Sequence, residues 1–139
     1  MAQQDNPKLT ITLTGRKPVT ITKDDWPVIA SAGEKEWDNQ YEFQANRTAS
    51  FKLTVRQHED GRAIVYGVHS YTTQYQGAHG RDIRGGELLD KDADIPEAIH
   101  RVATELESRM PGGEGEWWSQ GYWPRLAHEC TADLPAVEI

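Results

Sequence analysis

Residues 51–73, FKLTVRQHEDGRAIVYGVHSYTT, decide the fold class. Phe51, Leu53 and Val55 recur at every second position, the period of a strand with one face in a core. Residues 59–62, EDGR, then bring Asp60-Gly61, the strongest short hairpin signal. The stretch that follows is rich in β-branched and aromatic residues, which favour strands. Val65 falls on one face of it, and Ile64, Tyr66 and Val68 fall on the other. A strand that is partly apolar on both faces belongs in the middle of a sheet with helices on one side.

Working back toward the N-terminus, residues 8–14, KLTITLT, place Leu9, Ile11 and Leu13 on one face. GRKP then reads as a turn, and alternation resumes at Val19 and Ile21, so this segment predicts a first hairpin. Thr22 with Asp25 resembles a helix N-cap, with acid in the first turn where the helix dipole favours it. Residues 24–33, DDWPVIASAG, are therefore expected to form a short helix, with Pro27 in its first turn and Gly33 closing it. From Tyr41 the period returns to two, through Phe43 and Ala45.

Working forward, residues 74–86, QYQGAHGRDIRGG, hold four glycines, one histidine and two arginines. A phosphate-cradling loop needs a helix immediately after it, so that backbone N–H groups point at the anion. Here ELLD follows, a short strand candidate, then the polar turn DKDAD. The spacing is that of a hairpin connection. His79, Arg81 and Arg84 make 77–86 a ligand-binding loop in the alternative reading, since exposed loops often carry function. Residues 94–110 predict a helix capped by Asp94, with Glu97 at the third position and Pro96 in the first turn. Ile95, Ile99, Val102, Ala103, Leu106 and Met110 form its apolar stripe. A last helix starts near Pro124, with Leu126, Ala127 and Cys130 toward the core.

The 139 residues suit one domain, with 1–7 as a flexible N-terminus. The single cysteine, Cys130, permits no intrachain disulfide. No apolar run approaches the roughly 18 residues of a membrane span, and the N-terminus lacks the pattern of a signal peptide. The expectation is a cytoplasmic protein. The net charge of −7 is concentrated late, where residues 87–139 carry 12 Asp and Glu against 4 Lys and Arg. That balance argues against direct nucleic-acid binding, which rests on neutralising phosphates. It suits a partner with a basic surface. Its plainer reading is solvation of exposed helix faces.

Chemistry-bearing clusters are few. His128, Glu129 and Cys130 are adjacent, and neighbours on a helix point about 100° apart, so they cannot share one metal ion. No cofactor is expected. Cys130 reads as a buried, inert thiol. The lysines and carboxylates show no pattern. Trp117, Trp118, Tyr122 and Trp123 fall within seven residues. They read either as rings covering the core or as an anchor for a protein partner, because Trp and Tyr are enriched in binding hot spots.

The stretches LTITLTGRKPVTITKDDWPVIASA, FQANR, VRQHEDGRAIVYG and SYTTQYQG, with a weaker echo at LAHECTADLPAVEI, resemble a group of small proteins of unassigned function. That group is carried on plasmids and integrative elements of Gram-negative bacteria. The resemblance covers residues 8–77 and brings no catalytic residue with it. It implies an anti-defence role, in which an acidic protein of the anti-CRISPR or anti-restriction type blocks the basic channel of a host complex. The expected architecture is α+β. It has an antiparallel sheet of about five or six strands, the short helix after the first hairpin, and two C-terminal helices on one face. The expected function is a non-enzymatic interaction protein, either monomeric or a homodimer. Glu97, Glu105, Glu107, Glu114 and Glu116 would present charge, with Trp117 or Trp118 as anchor.

Overall fold

The computed structural model describes residues 7–38, 47–73, 81–110 and 121–136. Strands β1 (Lys8–Ile11) and β2 (Val19–Thr22) form a small antiparallel hairpin, and a single 3-10 turn follows at Lys23–Asp25. Strands β3 (Val28–Asp38), β4 (Arg47–Gln57), β5 (Ala63–Thr73) and β6 (Arg81–Leu89) form an antiparallel sheet in the order β3-β4-β5-β6. Helices α1 (Ile95–Ser108) and α2 (Tyr122–Ala132) come last. The fold is α+β, but its strands are divided between two sheets instead of one.

The alternation around Phe51 and Val65 sets the layers. Phe51, Leu53 and Val55 on β4 are buried with Ala63 and Val65 on β5 and Ala30 on β3. Against them lie Ile99, Val102, Ala103 and Leu106 of α1 and Trp123, Leu126, Ala127 and Cys130 of α2. Both helices therefore sit on one face of the sheet. Gly67 on β5 lets them approach, because a Cβ there would stand 2.5 Å from Leu106 Cδ1 and 3.0 Å from the Trp123 ring. Asp94 caps α1 as its sequence predicts, its carboxylate accepting from the Glu97 N–H at 3.0 Å.

The other sheet face is covered only in part. Ile11, Leu13, Ile21 and Trp26 pack on Ile64 of β5, with Tyr66 and Leu88 at the margin of this second core. Thr14 ties the hairpin to β6: its N–H donates to Gly86 O at 2.9 Å, and its hydroxyl accepts from Gly86 N–H at 3.2 Å. The apolar second face of β5, legible in its sequence, exists to receive this hairpin.

Two expectations are corrected. Residues 24–33 do not form a helix. Thr22 flanks the 3-10 turn without a side-chain cap bond, and Val28 onward is β3, pairing Ser31 with Thr54 and Gly33 with Lys52. Pro27 explains the break. It offers no N–H to a helix begun at Lys23, and its ring clashes with the carbonyl four residues back. Likewise, residues 81–86 belong to β6 and not to a loop. Gly86 serves packing, since a Cβ there would meet Val65 O at 2.6 Å and Tyr66 Cβ at 2.8 Å. The strand at Tyr41, Phe43 and Ala45 lies outside the described residues.

Candidate functional site

With Phe51, Leu53 and Val55 committed to the core, period two turns Ser50, Lys52, Thr54 and Arg56 to the opposite face of β4. The register then sets Ser31 of β3 and Tyr66 of β5 on either side of Thr54, and Val68 of β5 beside Lys52. The hairpin reaches Tyr66 at the margin of its core and supplies no residue of the lining. What remains is a cavity of about 320 Å³ on the open half of the sheet. Its lining comprises two cations, Lys52 and Arg56, the hydroxyls of Ser31, Ser50, Thr54 and Tyr66, and the apolar side chains of Val28 and Val68. None of the lining residues is acidic.

Arg56 is held in place from two directions. Its Nε donates to Tyr66 Oη at 2.9 Å and its Nη1 donates to Trp26 O at 3.0 Å. Trp26 is itself buried in the hairpin core. The β4 backbone is fixed at the same end, where Gln57 N–H donates to Pro27 O at 3.0 Å. Lys52 is exposed at the rim.

Neither cation has a carboxylate partner among the described residues, which is also true of Lys8, Arg16, Lys17, Lys23 and Lys91. Lys52 and Arg56, however, line one cavity, whereas Arg84, Arg101, Arg109 and Arg125 of the sheet and helices are paired. Arg62 meets Asp60 at 2.8 Å, Arg84 meets Asp82 at 3.0 Å, and Arg125 meets Glu34 at 2.7 Å. Arg101 reaches Glu87 at 2.9 Å and Glu97 at 3.0 Å, and Arg109 reaches Glu105 at 3.3 Å. Hydrogen bonds from Arg84 and Ser70 hold the Asp82 carboxyl below its usual range, and the Glu87 carboxylate raises Arg101. Arg56 and Lys52 have no carboxylate partner among the described residues. In an acidic chain that is a conspicuous place to leave two positive charges.

The residues singled out by sequence fall elsewhere. Glu97 and Glu105 lie on the exposed side of α1 in the ion pairs just given, and Glu105 also accepts from Thr14 Oγ1 at 3.4 Å. Glu107 Oε2 accepts from Gly121 N–H at 3.1 Å, at the start of α2. Glu114, Glu116, Trp117, Trp118 and His79 lie outside the described residues. Arg81 opens β6, and Arg84 is paired with Asp82 on that strand. Of the aromatic group, Trp123 is fully buried, and Tyr122 stacks on Phe51 with ring centroids 4.7 Å apart. Those two are core.

Cys130 is also core. Burial pushes its thiol up to about 11, so it carries no thiolate at neutral pH. His128 and Glu129, on either side of Cys130's helical face, are exposed and point away from it.

Sequence reading missed Lys52 and Arg56. The signal that could have found them is the alternation already used for the core, read for its outward residues. No protein-family model, no curated protein and no solved structure matches this chain.

Proposed function

We propose that this chain is a non-enzymatic binding module whose ligand is anionic and occupies the cavity on the open half of the sheet. The observation that carries this reading is the pairing of Lys52 with Arg56 in a lining that contains no carboxylate. A partly desolvated cation without a counter-ion is unfavourable, and an anionic ligand relieves that penalty. The volume lies at the lower end of the range for small-ligand sites, about 300–1,000 Å³. This reading keeps the ligand-binding alternative drawn from the sequence, but moves it from residues 77–86 to the sheet.

The test is a thermal-shift panel of phosphate, sulfate, succinate and citrate at fixed ionic strength, on the wild type and Lys52→Glu. A ligand at a hundred times its dissociation constant stabilises the folded chain by about 2.7 kcal/mol. A selective shift in the wild type that Lys52→Glu loses supports the reading. No selective shift with any anion overturns it.

A second reading keeps the macromolecular partner that the resemblance implies, an inhibitor of a host defence complex. The acidic excess of residues 87–139 favours it. Within α1, a basic partner would have to displace Arg101 from Glu97 and Arg109 from Glu105. A complex captured from a host lysate that survives charge reversal at Glu105 and Glu107 would count against this form.

A further inference from the structure

We infer that the anion held in the sheet cavity is a tetrahedral phosphate group, in preference to a carboxylate; this rests on the binding-module reading above. The argument starts from which edges of Arg56 are still free. An arginine grips a carboxylate best with two parallel N–H groups, through either the Nε–Nη2 edge or the Nη1–Nη2 edge. Here Nε is occupied by Tyr66 Oη and Nη1 by Trp26 O. The Nε–Nη2 edge is therefore broken, and the N–H groups left to donate are one on Nη1 and both on Nη2. A planar carboxylate then loses the side-on fork and keeps at most the end-on one.

A phosphate does not need that fork. Its oxygens spread tetrahedrally and accept from single donors arriving along different directions. The cavity supplies donors of that kind. Lys52 brings a mobile ammonium from the rim. Thr54 lies between the two cations on β4, with Ser31 and Tyr66 flanking it by register. Tyr66 Oη accepts from Arg56, so its own proton is free to donate. Lys52 and Arg56 are four strand residues apart, roughly 13 Å between Cα atoms, and both line the cavity.

Two observations argue against a long polyanion. Toward β6 positive charge is interrupted, because Arg84, the next cation in the row Lys52–Val68–Arg84, is neutralised by Asp82. The chain as a whole is acidic. An organic phosphate would lay its apolar part against Val68 and Val28, the latter 47% exposed.

The experiment is a titration of the full chain followed by ¹H–¹⁵N cross-peaks of Ser31, Ser50, Lys52, Thr54 and Val68, at constant ionic strength. The probes are inorganic phosphate, a nucleoside 5′-monophosphate, the same nucleoside without phosphate, and succinate. The expected result is phosphate binding about tenfold or more tighter than succinate, the worth of a charge-assisted hydrogen bond. Lys52→Ala, which removes an exposed side chain with no described partner, weakens phosphate binding by about tenfold. Tyr66→Phe frees Nε, restores one fork and narrows the preference for phosphate over succinate.

Tighter binding of the nucleotide than of inorganic phosphate identifies an organic phosphate as the source; equal binding identifies the free ion. Succinate matching phosphate overturns the inference while leaving the anion-binding reading intact. Absence of cavity shifts with every anion overturns both.

Discussion

Gly67→Ala tests which face of the sheet the helices cover, and so which face is left open for a ligand. Gly67 is at the middle of the central strand β5, paired with Leu53 on one side and Gly85 on the other. An added Cβ would stand 2.5 Å from Leu106 Cδ1 and 3.0 and 3.1 Å from two carbons of the Trp123 ring. Carbon atoms rest at about 3.5–4.0 Å, so Leu106 must swing aside or α1 must retreat by roughly 1 Å. Leu106 and Trp123 are both fully buried. Overpacking of this kind costs about 1–3 kcal/mol.

The partner variant gives the argument its check. Leu106→Ala alone removes a buried side chain and costs about 2–5 kcal/mol. In the double variant the new methyl enters the space that leucine vacated. The double variant is then less destabilised than the two single variants added together, by about 0.5–3 kcal/mol. Equilibrium urea unfolding followed by tryptophan fluorescence reads all four proteins. A wild-type midpoint for Gly67→Ala, or strict additivity of the pair, refutes the reasoning. In that case α1 does not press on β5 at Gly67, and the face bearing Lys52 and Arg56 loses its claim to be the open one.

Other consequences can be measured on the same protein. Asp94→Ala removes the cap bond to Glu97 N–H and should lower stability by about 1 kcal/mol, whereas Asp94→Asn should keep most of it. Cys130 should resist alkylation in the folded chain at mildly alkaline pH and react once the chain is unfolded. Its folded pKa, about 11, lies above the ordinary thiol value of 9.0. Its contribution to stability is therefore complete below pH 9 and lost as pH rises toward 11. That part of the alkaline decline should be missing from Cys130→Ala, and an unchanged alkaline limb would count against the burial of the thiol. Asp82 has the opposite sign. Its folded pKa is depressed, so its contribution is present above 3.8 and fades as pH falls through the lower folded value. Asp82→Asn should flatten the acid limb of a stability profile, and an identical limb would refute the Arg84 and Ser70 bonds.

The parts of the fold legible in the sequence are those where one period dominates. The β1–β2 hairpin, the β4–β5 pair and α1 each repeat one spacing for several residues, and each appears as expected. Residues 28–33, VIASAG, were illegible for a physical reason. Small side chains fit the spacing of a helix and of a strand equally well, so the choice falls to tertiary pairing. Here β4 makes it, by pairing with Ser31, Ala32 and Gly33. The glycines before Glu87 misled in a related way. They look like a loop, but Gly86 is small because the β5 backbone and Tyr66 crowd it.

The candidate site was hidden more deeply. Lys52 and Arg56 on the polar side of a strand look like any solvated pair of charges. Their meaning comes from groups distant along the chain: the carbonyl of Trp26, the hydroxyl of Tyr66, and the absence of a carboxylate from the lining. Only the last of these has a trace in the sequence, since β4 from Phe51 to Gln57 carries no acid.

The bond from Arg56 Nη1 to the Trp26 carbonyl ties a cavity cation to a residue buried in the core of the N-terminal hairpin. Binding and hairpin docking are therefore linked equilibria. An anion that needs the tethered arginine is bound only by molecules whose hairpin is docked, and each bound molecule disfavours hairpin release by the same factor. Hydrogen exchange is the natural gauge of that coupling. None of residues 8–22 lines the cavity, yet the exchange of their amides should slow as the cavity fills.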